Sequence, residues 1–525
     1  MEKRLIVAML LSFAVIYAYS LFFPAQKPVP PASDAVVAAA GQVAPPQTSQ
    51  PPAAVPVATV SGSRDVVVES DLYRAVFSTQ GGTLRQLVLK NYRESTAADA
   101  KPVTLVDATV AEAPLQTSVP AQYDDRQLVY GVDRDRVTIS PGGTETLMFS
   151  ARLPGGAVVE KHFRLSAGSY LFQMETVFRN SSSQPVAGPM TLRVSDLVPE
   201  STKMLQGDEL TAPVNVGGKI TFHSMGDVQK EPRSAEGDIL WTAYGSKYFV
   251  NAVVAENKSI GSVRLEKAGS KLQRSVATPA FTLQPGEART FSYKVYFGPK
   301  DIDYLKATGV GLEEAIDLGW FSMIAKPLLL SLKFFYRYVH NYGLAIIIIT
   351  IILKIFFYPL THRSFKSMKE MQKLQPKMTQ LREKHKDDRD TMNRAVMELY
   401  REHKVNPMGG CLPMLVQIPV FFALYKALMY SIELRHAPFY LWITDLSAKD
   451  PYYITPIIMG ATMVIQQKMT PTTMDPMQAK IMMFLPVMFT FMFLNFPSGL
   501  VLYWLVNNIL TILQQWRINH TLKEA

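Results

Sequence analysis

Cysteine is nearly missing from this chain. Cys411 is the one copy in 525 residues, so no disulfide can close within the chain and no thiolate metal cluster can assemble. Any exported part must hold together by its core alone. Histidine is sparse, with eight copies; His162 and His223, the two within residues 61–305, sit in no catalytic motif. No phosphate-cradling GxxxxGK[ST] loop occurs, since NVGGKITF lacks both the spacing and the hydroxyl residue, and nothing suggests an ATPase. Asp, Glu and His are absent from five long apolar stretches of the C-terminal half. An ion-coupled transporter usually needs a carboxylate or a carbonyl-lined break there, so that class weakens.

What is present is a mixture. Apolar residues make up 48% of the chain and charged ones 19%, with a net charge of +10 and a slightly positive mean hydropathy. Several membrane spans joined to a large water-exposed region would give these totals. Residues 1–23 carry Lys3 and Arg4 ahead of about 19 apolar residues, enough to cross a bilayer. They read as a transmembrane signal anchor. A cleaved signal peptide is the alternative, and the bulky Phe22-Phe23 end speaks against it. Residues 24–60 form a Pro/Ala-rich linker with no means to build a core.

Over 61–305 short runs of β-formers such as LRQLVLKNY and RTFSYKVYFG are punctuated by Gly, Pro, Asn and Ser. They predict one large all-β sandwich domain. Residues 306–340 mix Trp320, Phe321 and Leu328–Leu330 with Lys326, Lys333 and Arg337. This predicts an interfacial amphipathic helix, with rings and basic tips at headgroup level.

Apolar stretches at about 343–360, 411–430, 453–470, 481–496 and 499–516 then predict five spans, six with the anchor. The segment 341–361 is transmembrane helix 2, and 407–517 holds helices 3–6, the last two joined by FPSG. Between them, 362–406 predicts a basic helical hairpin. Met368, Met371, Leu374, Met378 and Leu381 form one side of its seam, Met392, Val396 and Leu399 the other, with KDDRD as the turn. Lys3, Arg4 and this hairpin put both termini and the hairpin in the cytoplasm. Residues 24–340 are then largely periplasmic, and 518–525 is a short tail.

One lysine stands inside GLAIIIITIILKIFFYPL. Lys354 lies roughly 9–10 Å inside the cytoplasmic end of its span, within reach of snorkelling. Thr350, Lys354 and Tyr358 make one helical stripe. Tyr503, Asn507, Thr511 and Gln514 make another, flanked by Asn508 and Gln515. Gln417, Gln466 and Gln467 add to the cytoplasmic half. Singly each is ordinary interhelical glue; together they suggest a wet, positively charged cavity closed on the far side. Met459, Met463, Met469, Met474, Met477, Met482, Met483, Met488 and Met492 crowd the fourth and fifth spans. Core filling and an adaptable apolar surface explain them equally well.

The stretches KVNPMGGCLPMLVQIPVFFALYKAL, LWITDLSAKDPYYITPIIMGATMVIQQKM, FPSGLVLYWLVNNILTILQQW and YPLTHRSFKSMKEMQKLQPKM closely resemble the YidC family of bacterial membrane protein insertases, within the wider YidC/Oxa/Alb group. The layout of anchor, linker and large β domain resembles its Gram-negative form. The resemblance implies a polytopic α-helical membrane protein of six transmembrane helices, with a periplasmic β-supersandwich and a cytoplasmic hairpin. It implies an inner-membrane insertase and chaperone that needs no nucleotide or cofactor. Such a protein acts alone or with the Sec translocon and its accessory subunits. It meets nascent membrane proteins, lipids, and the ribosome through basic loops, with no specific nucleic-acid site. It further implies a hydrophilic groove open to the cytoplasm and lipid, with a central basic residue four before the YPL tyrosine. That residue is usually Arg and here is Lys354, so the charge remains and the planar fork is lost. Thr350, Gln417, Gln467, Tyr503, Trp504 and Asn507 match or adjoin groove-lining positions. A small-anion transporter and a docking factor built on the β domain are the rival readings.

Overall fold

The computed structural model describes residues 62–109, 112–119, 123–153, 155–198, 210–385, 388–403, 405, 412–470 and 476–524. The expected anchor at 1–23 and linker at 24–60 lie outside them.

Among the described residues strands run from Asp65 to Pro299, interrupted by a 3-10 turn at Asp125–Gln127 and one short α-helix, α1 (Met225–Lys230). Val158–Ser166 and Leu171–Arg179 pair antiparallel and bury alternate residues, as a pleat with one face against a core requires. They belong to a nine-stranded antiparallel sheet in which Ala288–Pro299 lies between Leu171–Arg179 and Phe249–Ala255. A five-stranded and a six-stranded sheet pack on it. Phe77 of the five-stranded sheet meets Phe163 at 4.9 Å between ring centres, and Tyr123 of the six-stranded sheet stacks on Phe178 at 5.4 Å. The result is a β-rich sandwich, as expected.

Its interior holds charge as well as rings. The buried Lys161 ammonium lies 2.5 Å from Asp125 and donates to the carbonyls of Gly81 and Leu115. Asp125 also accepts from the backbone and hydroxyl of Thr117. Desolvating such a pair costs several kcal/mol per ion, which these added hydrogen bonds offset. Lys161 thereby ties its own sheet to segments of both others.

Beyond the sandwich the chain is helical. The helices are α2 (Ile302–Lys306), α3 (Ser322–Val339), α4 (Tyr342–Lys384), α5 (Arg389–Glu402), α6 (Leu412–Tyr430), α7 (Ile454–Met469), α8 (Pro476–Phe493) and α9 (Ser498–Glu524). The five apolar stretches fall on α4, α6, α7, α8 and α9. Among the described residues one helix, over Tyr342–Leu381, is long and apolar enough by itself to cross a membrane; Val416–Tyr430 and Met482–Phe493 are shorter apolar helices.

The segments 341–361 and 362–406 are joined by one continuous helix, since α4 runs through Pro359 and Pro376 for 43 residues. Each proline forfeits one backbone hydrogen bond, and the helix continues on the others. The first arm of the hairpin is thus the far end of the apolar helix. Its seam joins Met371, Leu374 and Met378 to Leu399, Tyr400 and Val405, with Met368, Leu381 and Val396 at the edges. Tyr400 donates its hydroxyl to Met378 Sδ at 3.2 Å. Asp388 caps α5 where the turn was expected.

The helix α3 departs in part from the expected pattern of outward rings and basic tips. Its Trp320 approach, Met323, Phe334 and Tyr338 face outward, as an interfacial helix demands. Its basic residues do not all do so. Lys333 is held by Asp301 at 3.0 Å, Asp303 at 2.6 Å and Glu433 at 3.2 Å, and Lys326 pairs with Glu314. Burial lowers the Lys333 ammonium, but these carboxylates raise it well above the usual lysine range. The acids come from elsewhere in the chain, so the helix's own pattern could not reveal them.

Candidate functional site

Three helices converge on Lys354. Thr350 and Lys354 are one helical turn apart on α4, Gln417 comes from α6, and Tyr503 and Asn507 come from α9. These five line one cleft, together with apolar Leu353, Phe357, Leu360 and Val420. The spacing explains the gathering, because positions four apart on a helix share a face. The cleft has about 30 Å³ of water-accessible space, more than the roughly 10–15 Å³ that one water needs on that measure. The wet, positively charged cavity expected here is small, with room for water.

The polar groups in it are directed. Lys354 Nζ donates to Thr511 Oγ1 at 2.7 Å, so the side chain crosses to α9 instead of extending along its own helix. Thr511 in turn gives its hydroxyl proton to the Asn507 carbonyl at 2.7 Å. That leaves its lone pairs to the lysine and fixes the contact. Gln417 Nε2 donates to Asn507 Oδ1 at 3.2 Å, tying α6 to α9. Thr350 returns its proton to the Ile346 carbonyl at 2.7 Å. An ammonium has three donors, and Thr511 takes one. Among the described residues Lys354 joins no ion pair, so its charge is available to an anion from outside.

Two residues expected at the site lie elsewhere. Trp504 is turned into an aromatic cluster, edge-on to Phe421 at 4.8 Å and against Phe493 at 5.3 Å. One position along a helix is a rotation of about 100°, which carries it off the face of Tyr503. Gln467 on α7 is not a lining residue of the cleft. The two residues that flank the α9 stripe complete the network. Asn508 donates to Thr462 at 3.3 Å and Gln515 to the Met469 carbonyl at 2.8 Å, joining α9 to α7. Thr511, the direct partner of the lysine, was already marked by its stripe.

Around the cleft the helices turn large apolar side chains outward. Ile351, Ile352, Ile355 and Phe356 do so on α4, and Phe484, Val487 and Phe491 on α8. The methionines divide, with Met459 fully buried and Met483, Met488 and Met492 exposed. Gly460 of α7 lies so close to Thr490 of α8 that a Cβ would overlap its side chain. Among the described residues no cluster suited to a metal ion occurs.

Comparison with known proteins covers nearly the whole chain. A family model described as YidC periplasmic domain matches residues 65–331, and one described as 60Kd inner membrane protein matches 334–525. A membrane protein insertase YidC of Geotalea uraniireducens is 51% identical, across 99% of this chain and 100% of its own. Its namesake in Geobacter metallireducens is 52% identical, across 100% and 99%. Among solved structures, an active YidC insertase with its first transmembrane domain resolved is 19% identical, covering 87% of this chain and 93% of its own, with a TM-score of 0.36. A galactose mutarotase-like protein of Lactobacillus casei covers 45% of this chain and 100% of its own at 11% identity, with a TM-score of 0.32.

Proposed function

This chain belongs to the YidC family of membrane protein insertases, and from that premise we propose that Lys354 is the working charge of its insertion groove. The protein is an insertase, not a catalyst of bond making or breaking. Its task is to move a polar tail across a hydrocarbon layer about 30 Å thick. A hydrophilic groove reaching partway from the cytoplasm shortens that path, and the unpaired ammonium draws acidic tails into it. The apolar part of the client slides along the outward faces of α6 and α8 into lipid. Burial of roughly 20 apolar residues supplies the free energy, with no nucleotide. The narrowness of the cleft requires α4 and α9 to part as the tail enters.

In this reading α4, α6, α7, α8 and α9 are five spans and residues 1–23 a sixth. The hairpin of α4 and α5 and both termini are cytoplasmic, and residues 24–340 are largely periplasmic. The outward apolar rows and the absence of Asp, Glu and His from the apolar stretches support it. Nascent membrane proteins are the clients. The Sec translocon is a partner for some of them, and the basic segment 362–406 and the 471–480 loop meet the ribosome.

The hydrogen bond from Lys354 to Thr511 carries this proposal. The full chain, reconstituted alone in liposomes, should insert a single-span client with an acidic tail, read by protease protection. Lys354→Glu should impair that client more than a neutral-tailed one. Equal insertion of both tails by Lys354→Glu would reject the electrostatic role and leave the insertase.

A further inference from the structure

We propose that the outward face of α3 binds one zwitterionic aminophospholipid, with its phosphate on Arg337 and its ammonium toward Asp303. The proposal rests on the reading of α3 as a helix lying along the membrane surface.

A groove of about 540 Å³ opens on this face, lined by Asp303, Leu330, Lys333, Phe334, Phe335 and Arg337, a size in the range of small-molecule sites. Leu330, Phe334 and Arg337 are four and three positions apart, so two apolar side chains lead along the helix to one cation. Leu330 and Phe334 are 40% and 50% exposed, and no protein element covers them among the described residues. Acyl chain is the occupant that a helix at a membrane surface would meet there.

Charge then selects the headgroup. Lys333 is already surrounded by three carboxylates, Asp301, Asp303 and Glu433. Among the described residues Arg337 joins no ion pair, so its guanidinium is the donor left for a phosphate, which its planar fork fits with two parallel bonds. The three acids outnumber Lys333 and Arg337 by one, which disfavours a lipid with net negative charge. A neutral zwitterion meets both signs. Asp303 is the most exposed of the three acids, at 59%, and can accept from a primary ammonium. A choline headgroup has no N–H to give it. Ethanolamine-type lipid is therefore favoured over both choline and glycerol types.

The test uses the full chain extracted from vesicles holding equal parts phosphatidylethanolamine, phosphatidylcholine and phosphatidylglycerol, with retained lipid counted by native mass spectrometry. One phosphatidylethanolamine should remain on the wild type. Arg337→Glu should lower that retention about tenfold, Arg337→Lys should keep part of it, and Asp303→Asn should erase the preference over phosphatidylcholine. Equal retention of all three lipids by the wild type, or unchanged retention in Arg337→Glu, overturns the site. Displacement by soluble glycerophosphoethanolamine would assign it to free phosphate esters and overturn the lipid. A nitroxide at Met323→Cys in the Cys411→Ser chain reports separately on the helix. A label exposed to bulk water rejects the membrane-surface reading itself. A label at bilayer depth without lipid preference rejects only the site.

Discussion

A lysine at the centre of the cleft is a compact charge with rotatable donors, where an arginine would be a rigid fork. Thr511 gives it one fixed contact, because its own proton is committed to the Asn507 carbonyl. Thr511→Val keeps the shape and removes the acceptor. The ammonium then loses a hydrogen bond of about 1.5–3 kcal/mol and is freed to extend toward the interface. Insertion of acidic-tailed clients should fall severalfold while neutral tails are spared, measured in the same liposome assay. Lys354→Arg should retain activity, since the charge matters more than the fork. Loss of activity in Lys354→Arg with Lys354→Ala still active would mean that packing, not charge, is read at this position.

At the scale of elements, close approach decides how α7 and α8 meet. Gly460 leaves no room for a side chain beside Thr490, and helices in lipid associate through such small residues. Gly460→Leu should force the pair apart and lower the thermal stability of the detergent-solubilised protein by several degrees; an unchanged melting temperature would show that the helices slide past the added group. Elements of this kind were largely legible beforehand. The five apolar stretches became helices because long runs of apolar residues admit little else, and β-rich segments punctuated by turn residues became strands. The stripes on α4 and α9 put Lys354, Thr350, Tyr503 and Asn507 together because helical spacing is a local property. Trp504 turns away from Tyr503 because adjacency in sequence is a large rotation on a helix. The unbroken course of α4 is not marked by composition, and each of its two internal prolines costs one hydrogen bond that a long helix can absorb. The acids around Lys333 are distant in sequence, and no periodicity marks them.

For the whole molecule, the loop after α6 is where the β-rich domain and the helices are joined. Glu433 grips Lys333, and Arg435 two residues on donates to the Glu94 carbonyl at 3.3 Å and lies over the Phe249 ring at 5.5 Å. The neighbouring Lys300 is buried, which pushes its ammonium down to about 8 against the attraction of Asp317. Between about pH 8 and the ordinary value of 10.5 the unfolded chain holds a proton that the folded one has shed. Stability should therefore rise with pH through that window. Lys300→Met should stabilise the protein at pH 7, by at most about 3 kcal/mol, and flatten the rise. Denaturant titrations of wild type and variant at pH 7 and 10.5 check both; a variant less stable at pH 7 would mean that Lys300 has a favourable partner outweighing its burial.

The continuity of α4 has a mechanical consequence. Its 43 residues make a rod about 64 Å long, with Lys354 in one half and the Met371–Met378 seam in the other. Seventeen residues, about 25 Å of unbroken helix, separate Lys354 from Met371. A pull or twist on the hairpin is thus applied to the same helix that carries the cation of the cleft, with Pro359 as the weakened turn between them. Whatever grips the hairpin also has a hand on Lys354.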